Sequence, residues 1–163
     1  MNTYEQLLQN ASDEDIIVYE SIDLNGDAET SSRIDGIYID GHIALDKGLV
    51  TAAEKSCVLA EELGHHFTSS GNILDQQDTS NRKQEYRARL YGYNLQIGLI
   101  GIIKAHKEGC KNLYEMAEYL EVTEEYLKDA IECYRKKYGL FVAVDNYLIY
   151  FEPQLSVAKI NSL

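Results

Sequence analysis

The hydrophobic pattern changes period at Thr51, and the segment that follows constrains the chain more than any other. Ala52, Ala53, Cys57, Val58, Leu59, Leu63 and Phe67 fall on one stripe of a helix. Yet the same turns carry Glu61, Glu62, His65 and His66. A helix with such a stripe has to be buried along its length, and burying ionisable groups is costly unless they find partners. Whatever fold forms must therefore supply partners for two carboxylates and two imidazoles. Thr51 with Glu54 three positions later forms a capping box that starts this helix.

Before Thr51 the pattern is mostly β. A short helix over residues 4–9 leads into 15–21 (DIIVYES), rich in β-branched residues, and then a polar loop containing Asn25-Gly26. Residues 33–40 (RIDGIYID) and 41–45 (GHIAL) read as two short strands joined by a turn at Asp40-Gly41. After the central helix, 69–80 (SSGNILDQQDTS) is a loop by composition, and 81–107 is a long helix interrupted near its glycines. Two further helices are expected over 113–120 and 124–138, with Thr123 capping the second. Residues 140–151 (LFVAVDNYLIYF) alternate around Asp145-Asn146 like a hairpin, which Pro153 ends. The expected class is α+β: a small antiparallel or mixed sheet packed on the central helix, then a mainly helical half closed by a hairpin. The division falls between 1–108 and 109–163, within one compact body.

Charge excludes some functions. With 27 acidic against 15 basic side chains, a formal net charge of -12 repels phosphate backbones, so nucleic acid is a poor partner. The apolar run over 90–103 is shorter than the roughly 20 residues a membrane span needs, and glycines and amides interrupt it. The first residues show neither a basic segment nor an apolar one, so a cytoplasmic location is expected. Three cysteines without CxxC spacing, Cys57, Cys110 and Cys133, read as reduced thiols in small core positions.

The chemistry concentrates in LAEELGHHFTSS, residues 59–70. Positions i and i+4 share a helix face, so Glu61 and His65 are able to meet one atom, with Glu62 offset by about 100°. That is HExxH with glutamate in place of the first histidine, a motif in which the outer residues hold zinc and the inner glutamate moves a proton. The same letters also suit a charged helix end. A catalytic zinc takes three protein ligands, and Glu85, twenty positions beyond His65 at the start of the next helix, is the candidate third. Its alternative is an exposed ion pair with Arg82 or Arg89. Gly64 suits a crowded neighbour, either the sheet or a substrate strand. His66 is expected in a supporting or core role, with orientation of Glu62, ligation in a shifted register, or oxyanion stabilisation as alternatives.

Other motifs fail. Asp23-Leu24-Asn25-Gly26-Asp27 opens like a calcium loop, but Ala28 and Ile34 stand where glycine and a bidentate glutamate belong, leaving a turn-forming acidic loop. Residues 112–131 have the outline of a DNA-binding helix pair. Its second helix begins Glu124-Glu125, however, and includes Asp129, so packing on the core or gripping a protein is expected instead. The basic run Arg135-Lys136-Lys137 suits a helix C-terminus. Thirteen tyrosines fit a peptide-binding surface as well as a core. His42 and His106 read as structural.

Three separated blocks, CVLAEELGHHFTSS, RKQEYRARLYGYNL and YGLFVAVDNYLIYFEP, occur in an order that resembles the ImmA/IrrE family of metallopeptidases of bacteria, phages and integrative elements. The resemblance runs from about residue 37 to 151. It implies a zincin-like fold, with Glu61, His65 and Glu85 as ligands of zinc and Glu62 as general base. Glu61 departs from the histidine of the best-known members, and two carboxylates with one imidazole also suit a harder metal such as manganese. Tyr86, Arg87 and Tyr91, near Glu85, are candidates for stabilising an oxyanion, alongside His66. The implied activity is a metal-dependent endopeptidase that cleaves a regulatory protein, namely a helix-turn-helix repressor of a phage or mobile element. The alternatives are an inactive anti-repressor of the same fold that binds without cutting and, less favoured, a DNA-binding regulator.

Overall fold

The computed structural model describes residues 1–27, 32–69 and 78–161. Helix α1 (Thr3–Asp13) leads to β1 (Ile17–Ile22), the pair β2 (Gly36–Ile39) and β3 (His42–Asp46), and helix α2 (Ala52–Thr68). Helices α3 (Asp78–Gln96), α4 (Gly98–Lys107), α5 (Leu113–Leu120) and α6 (Glu124–Tyr138) precede the strands β4 (Phe141–Val144), β5 (Tyr147–Tyr150) and β6 (Ser156–Lys159). The class is α+β, arranged as two compact units, Met1–Tyr93 and Asn94–Leu163.

In the first unit the sheet is mixed, with order β1-β3-β2, β1 parallel and β2 antiparallel to the central β3. Asp40 and Gly41 both take positive φ, the conformation a two-residue hairpin turn demands. The core joins Tyr4, Leu7 and Ala11 of α1 to Ile43 and Leu45 of β3 and to Leu59, Ala60 and Leu63 of α2. Helix α1 is longer than expected at both ends. Asn2 and Glu5 form a capping box ahead of it, and the Tyr4-Leu7-Ala11 stripe carries it past Asn10 and Ser12, where packing outweighs weak propensity. Thr51 and Glu54 form the expected capping box of α2. Phe67, expected on the buried stripe, is exposed at the end of that helix. Most of the expected loop over 69–80 lies outside the described residues, but Ser69 is the C-cap of α2, and α3 already begins at Asp78.

In the second unit the long helix breaks at Ile97, as its glycines suggested, and Gly98 resumes it with φ +62°. The fully buried Tyr134 secures this break. Its hydroxyl accepts from the Gly98 N–H at 3.2 Å and donates to Asn94 Oδ1 at 3.0 Å. Thr123 caps α6 through the Tyr126 N–H at 3.1 Å, and Gly139 ends that helix at positive φ. Strands β4 and β5 make the expected hairpin, but Pro153 does not end the sheet. It stands in the connection, and β6 returns antiparallel to β5. A proline signal excludes a central ladder position without excluding another strand beyond it. Of the cysteines only Cys57 is buried; Cys110 and Cys133 are half-buried.

Asp46, at the end of β3, organises the acidic loop. Its carboxylate accepts from the N–H groups of Gly48 at 2.9 Å and Leu24 at 3.0 Å and from Arg33 Nη2 at 2.9 Å. The Gly48 and Leu24 N–H bonds hold its pKa below the usual carboxylate range. A lowered folded pKa gives stability that is present above the unfolded value, about 3.9, and is lost as pH falls through the folded one. Asp46→Asn should therefore lower the melting temperature at pH 7, and the gap to the parent should close in acid. Thermal melts across pH 2–7 would check this, and a gap independent of pH would refute it.

Candidate metal centre

Helix α2 presents two interleaved i, i+4 pairs on adjacent faces. Glu61 and His65 turn toward α3, whereas Glu62 and His66 turn toward β2. One sequence motif thus serves two neighbours.

On the α3 side, ligand atoms of Glu61, His65 and Glu85 all lie within 4.8 Å of one another. His65 Nε2 stands 3.6 Å from Glu85 Oε1, with the histidine mostly buried and the glutamate about half exposed. Arg89, one turn beyond Glu85, places its Nε 3.6 Å from Glu61 Oε1. So Arg89 does pair with a glutamate, but with Glu61 rather than Glu85. The closeness of the two helices has a specific cause: a Cβ on Gly64 would overlap the backbone carbonyl of Ala88. The crowded neighbour of Gly64 is therefore helix α3, neither the sheet nor a substrate strand.

On the β2 side, Glu62 is only 8% exposed. Room for its side chain comes from Gly36, where a Cβ would stand 2.9 Å from Glu62 Oε1 and 2.6 Å from Val58 Cγ1. Burial, and then the charges of Glu61 and Glu85, push its carboxyl up to about 8. His66 is held away from the three-donor cluster by Tyr38, whose hydroxyl lies 2.8 Å from Nδ1. The same hydroxyl oxygen accepts from the Gly41 N–H at 3.2 Å. His66 packs edge-on against Phe67, which stacks on Tyr91 at 5.2 Å between ring centroids. Tyr91 is thereby engaged in an aromatic stack, its pKa raised by burial and then by the charge of Glu14. Tyr86 and Arg87 are exposed on α3, and Arg87 is two residues, roughly 200° of helix rotation, from Glu85.

Sequence reasoning passed over Gly36 and Tyr38, and weighed Arg89 only beside Glu85. A lone glycine inside a strand signals close approach of another group, the one clue available for Gly36. Comparisons with protein-family models, with curated proteins and with solved structures returned no match.

Two outcomes are expected. Gly64→Ala should force α2 and α3 apart, costing about 1–3 kcal/mol as overpacking does, and should weaken any divalent-cation binding at Glu61, His65 and Glu85. Melts paired with metal titration would check it; unchanged cation affinity would separate the helix spacing from the centre. The second concerns Glu62 in metal-free protein. Its raised pKa means that the folded chain keeps a proton the unfolded chain has lost, so stability falls as pH rises between about 4.5 and 8. The slope is at most about 1.4 kcal/mol per pH unit. Metal-free Glu62→Gln should accordingly melt higher than the metal-free parent at pH 8 and alike near pH 4, and equal melting at both would contradict the buried-carboxyl account.

Proposed function

We propose that the protein is a metal-dependent endopeptidase of zincin-like construction that cuts a regulatory protein, a helix-turn-helix repressor being the substrate class the family resemblance implies. The observation that carries this reading is the convergence of the Glu61, His65 and Glu85 donors within 4.8 Å, beside the buried Glu62. Donors on a tetrahedral ion with bonds near 2.1 Å stand roughly 3.4 Å apart, and the His65–Glu85 separation of 3.6 Å is close to that. These three residues fit a divalent cation and would hold it. When bound, zinc or a harder ion such as manganese supplies polarisation of the scissile carbonyl and acidification of water.

The remaining work falls to the chain's own groups. Glu62, buried beside the three donors, would accept a proton from the attacking water and deliver it to the leaving amine, the dual role of a general base, with a bound cation nearby favouring its ionised form. Tyr38 and Gly36 keep the neighbouring face ordered, the first by holding His66 and the second by leaving room for Glu62. Strand β2 is the sheet edge next to this face. The Asp46 N–H donates to the Asp35 carbonyl at 2.8 Å, so by alternation Gly36 and Tyr38 direct their backbone groups away from β3. An extended peptide is able to add there as a further strand.

A second reading, an anti-repressor that binds without cutting, draws on Arg89, whose guanidinium gives Glu61 a countercharge from the chain itself. The DNA-binding reading is weaker, because α6 opens with exposed Glu124 and Glu125. No helix among the described residues is long and apolar enough to cross a membrane.

Metal analysis of protein purified without chelator should find about one zinc or manganese per chain, and chelation should abolish repressor cleavage. Glu62→Gln should retain the metal while lowering kcat by at least about 100-fold, the scale of general acid–base catalysis. Cleavage undiminished in that variant would remove Glu62 from the mechanism, and repressor binding by a metal-free, inactive chain would select the anti-repressor instead.

A further inference from the structure

The second unit contains a cleft of about 680 Å³, within the 300–1,000 Å³ typical of small-molecule sites, and none of the metal-centre residues contributes to it. Phe151 and Met116 are its most deeply buried apolar lining, and Ile131 of α6, Leu155 just before β6 and Val157 within it add half-buried hydrocarbon. The unforeseen strand after Pro153 therefore supplies part of the lining.

The charged lining holds two lysines against one glutamate. His106, Lys111 and Lys128 are exposed along the cleft. Lys111 makes no ion pair among the described residues, and Lys128 has only a loose exposed contact with Glu124 at 3.5 Å, a kind of pair worth little and easily exchanged. The carboxylate that also lines the cleft, Glu132, is already held by Arg135 through Nη2 at 2.6 Å and Nε at 2.9 Å. Residues 94–163 hold eight of the 15 basic but only ten of the 27 acidic side chains, so the strong negative charge of the chain resides elsewhere. An apolar interior with exposed ammonium groups at its edge matches a molecule with a hydrocarbon body and one anionic head.

We infer that this cleft binds a small amphipathic carboxylate of the fatty-acid class, its chain against Met116, Ile131 and Phe151 and its head between Lys111 and Lys128. The site is independent of the proposed peptidase centre.

Calorimetric titration of the full chain with dodecanoate below its micellar concentration tests this, with dodecylamine as the cationic control. Saturable one-to-one binding of dodecanoate, about tenfold or more tighter than the amine, is the expected result. Lys111→Glu combined with Lys128→Glu should weaken it by at least about tenfold, with an unchanged circular dichroism spectrum. A readout on the unmodified protein guards against variants that misfold. Cys110 lines the cleft and Cys133 does not, so dodecanoate should slow alkylation of Cys110 while leaving Cys133 unaffected. The inference is overturned by equal affinity for acid and amine, by Cys110 alkylation indifferent to saturating dodecanoate, or by association with phosphatidylglycerol vesicles without binding of the free acid.

Discussion

The spacing of α2 and α3 rests on the contact between Gly64 and the backbone of Ala88. Because a methyl group at position 64 would overlap the Ala88 carbonyl, the two helices approach as closely as backbone allows. Glu85 lies about one turn before Ala88 on the same side of α3, so the approach that Gly64 permits is also what brings Glu85 to His65. Three donors from two helices, far apart in sequence, thereby reach one small volume. A looser packing would draw Glu85 away from His65 and Arg89 away from Glu61 together, since both lie on α3. The donor cluster is thus a consequence of helix packing, and the residue that decides it carries no functional group.

Glycine acts a second time on the opposite side of α2. Gly36 removes a Cβ that would strike both Val58 and Glu62, which lets the β2 edge lie against the helix face bearing the buried carboxylate. Burial there is costly for a charged group, and the cost appears as proton affinity. Glu62 and His66 share that face but differ in environment: the glutamate has its carboxyl pushed up to about 8 by burial and like charge, while the histidine is hydrogen-bonded to Tyr38. Glu61, Glu62, His65 and His66 therefore take distinct surroundings from neighbouring turns of one helix.

Much of this was legible from local rules. Capping at Thr51 and Thr123, the helix break near Gly98 and the β2–β3 and β4–β5 hairpins all follow from short-range patterns whose physics is contained in a few residues, whereas the choice between an antiparallel and a mixed first sheet stayed open because the parallel β1–β3 pairing is not local. The cluster of Glu61, His65 and Glu85 was legible because helical spacing fixes two of its members and chain reversal places the third. What escaped depends on tertiary approach. Nothing local to Gly36 announces that a carboxylate will sit over it, and Tyr38 meets His66 only after the hairpin docks on α2. Phe67 continued the apolar stripe in sequence, yet it lies near the end of α2, where the core no longer covers that face and stacking on Tyr91 takes over. Strand β6 was hidden by a proline whose position in a connection, rather than in a ladder, is a property of the folded sheet.

The distribution of charge bears on what such a centre would act upon. Residues 1–93 carry seventeen of the 27 acidic side chains and only seven of the 15 basic ones, so the unit that holds the candidate centre is far more negative than the other. A field of that sign slows the approach of acidic proteins and speeds that of basic ones, an effect that acts on encounter rate and weakens with salt. Proteins that bind DNA present cationic surfaces for the phosphate backbone. Were the partner the repressor proposed above, an acidic body would compete for the surface it offers to its operator, whether the encounter ended in cleavage or in sequestration. On the proposed reading, the negative charge that disfavours nucleic acid as a ligand would favour a nucleic-acid-binding protein as partner, acting on the encounter before any contact at the edge of β2.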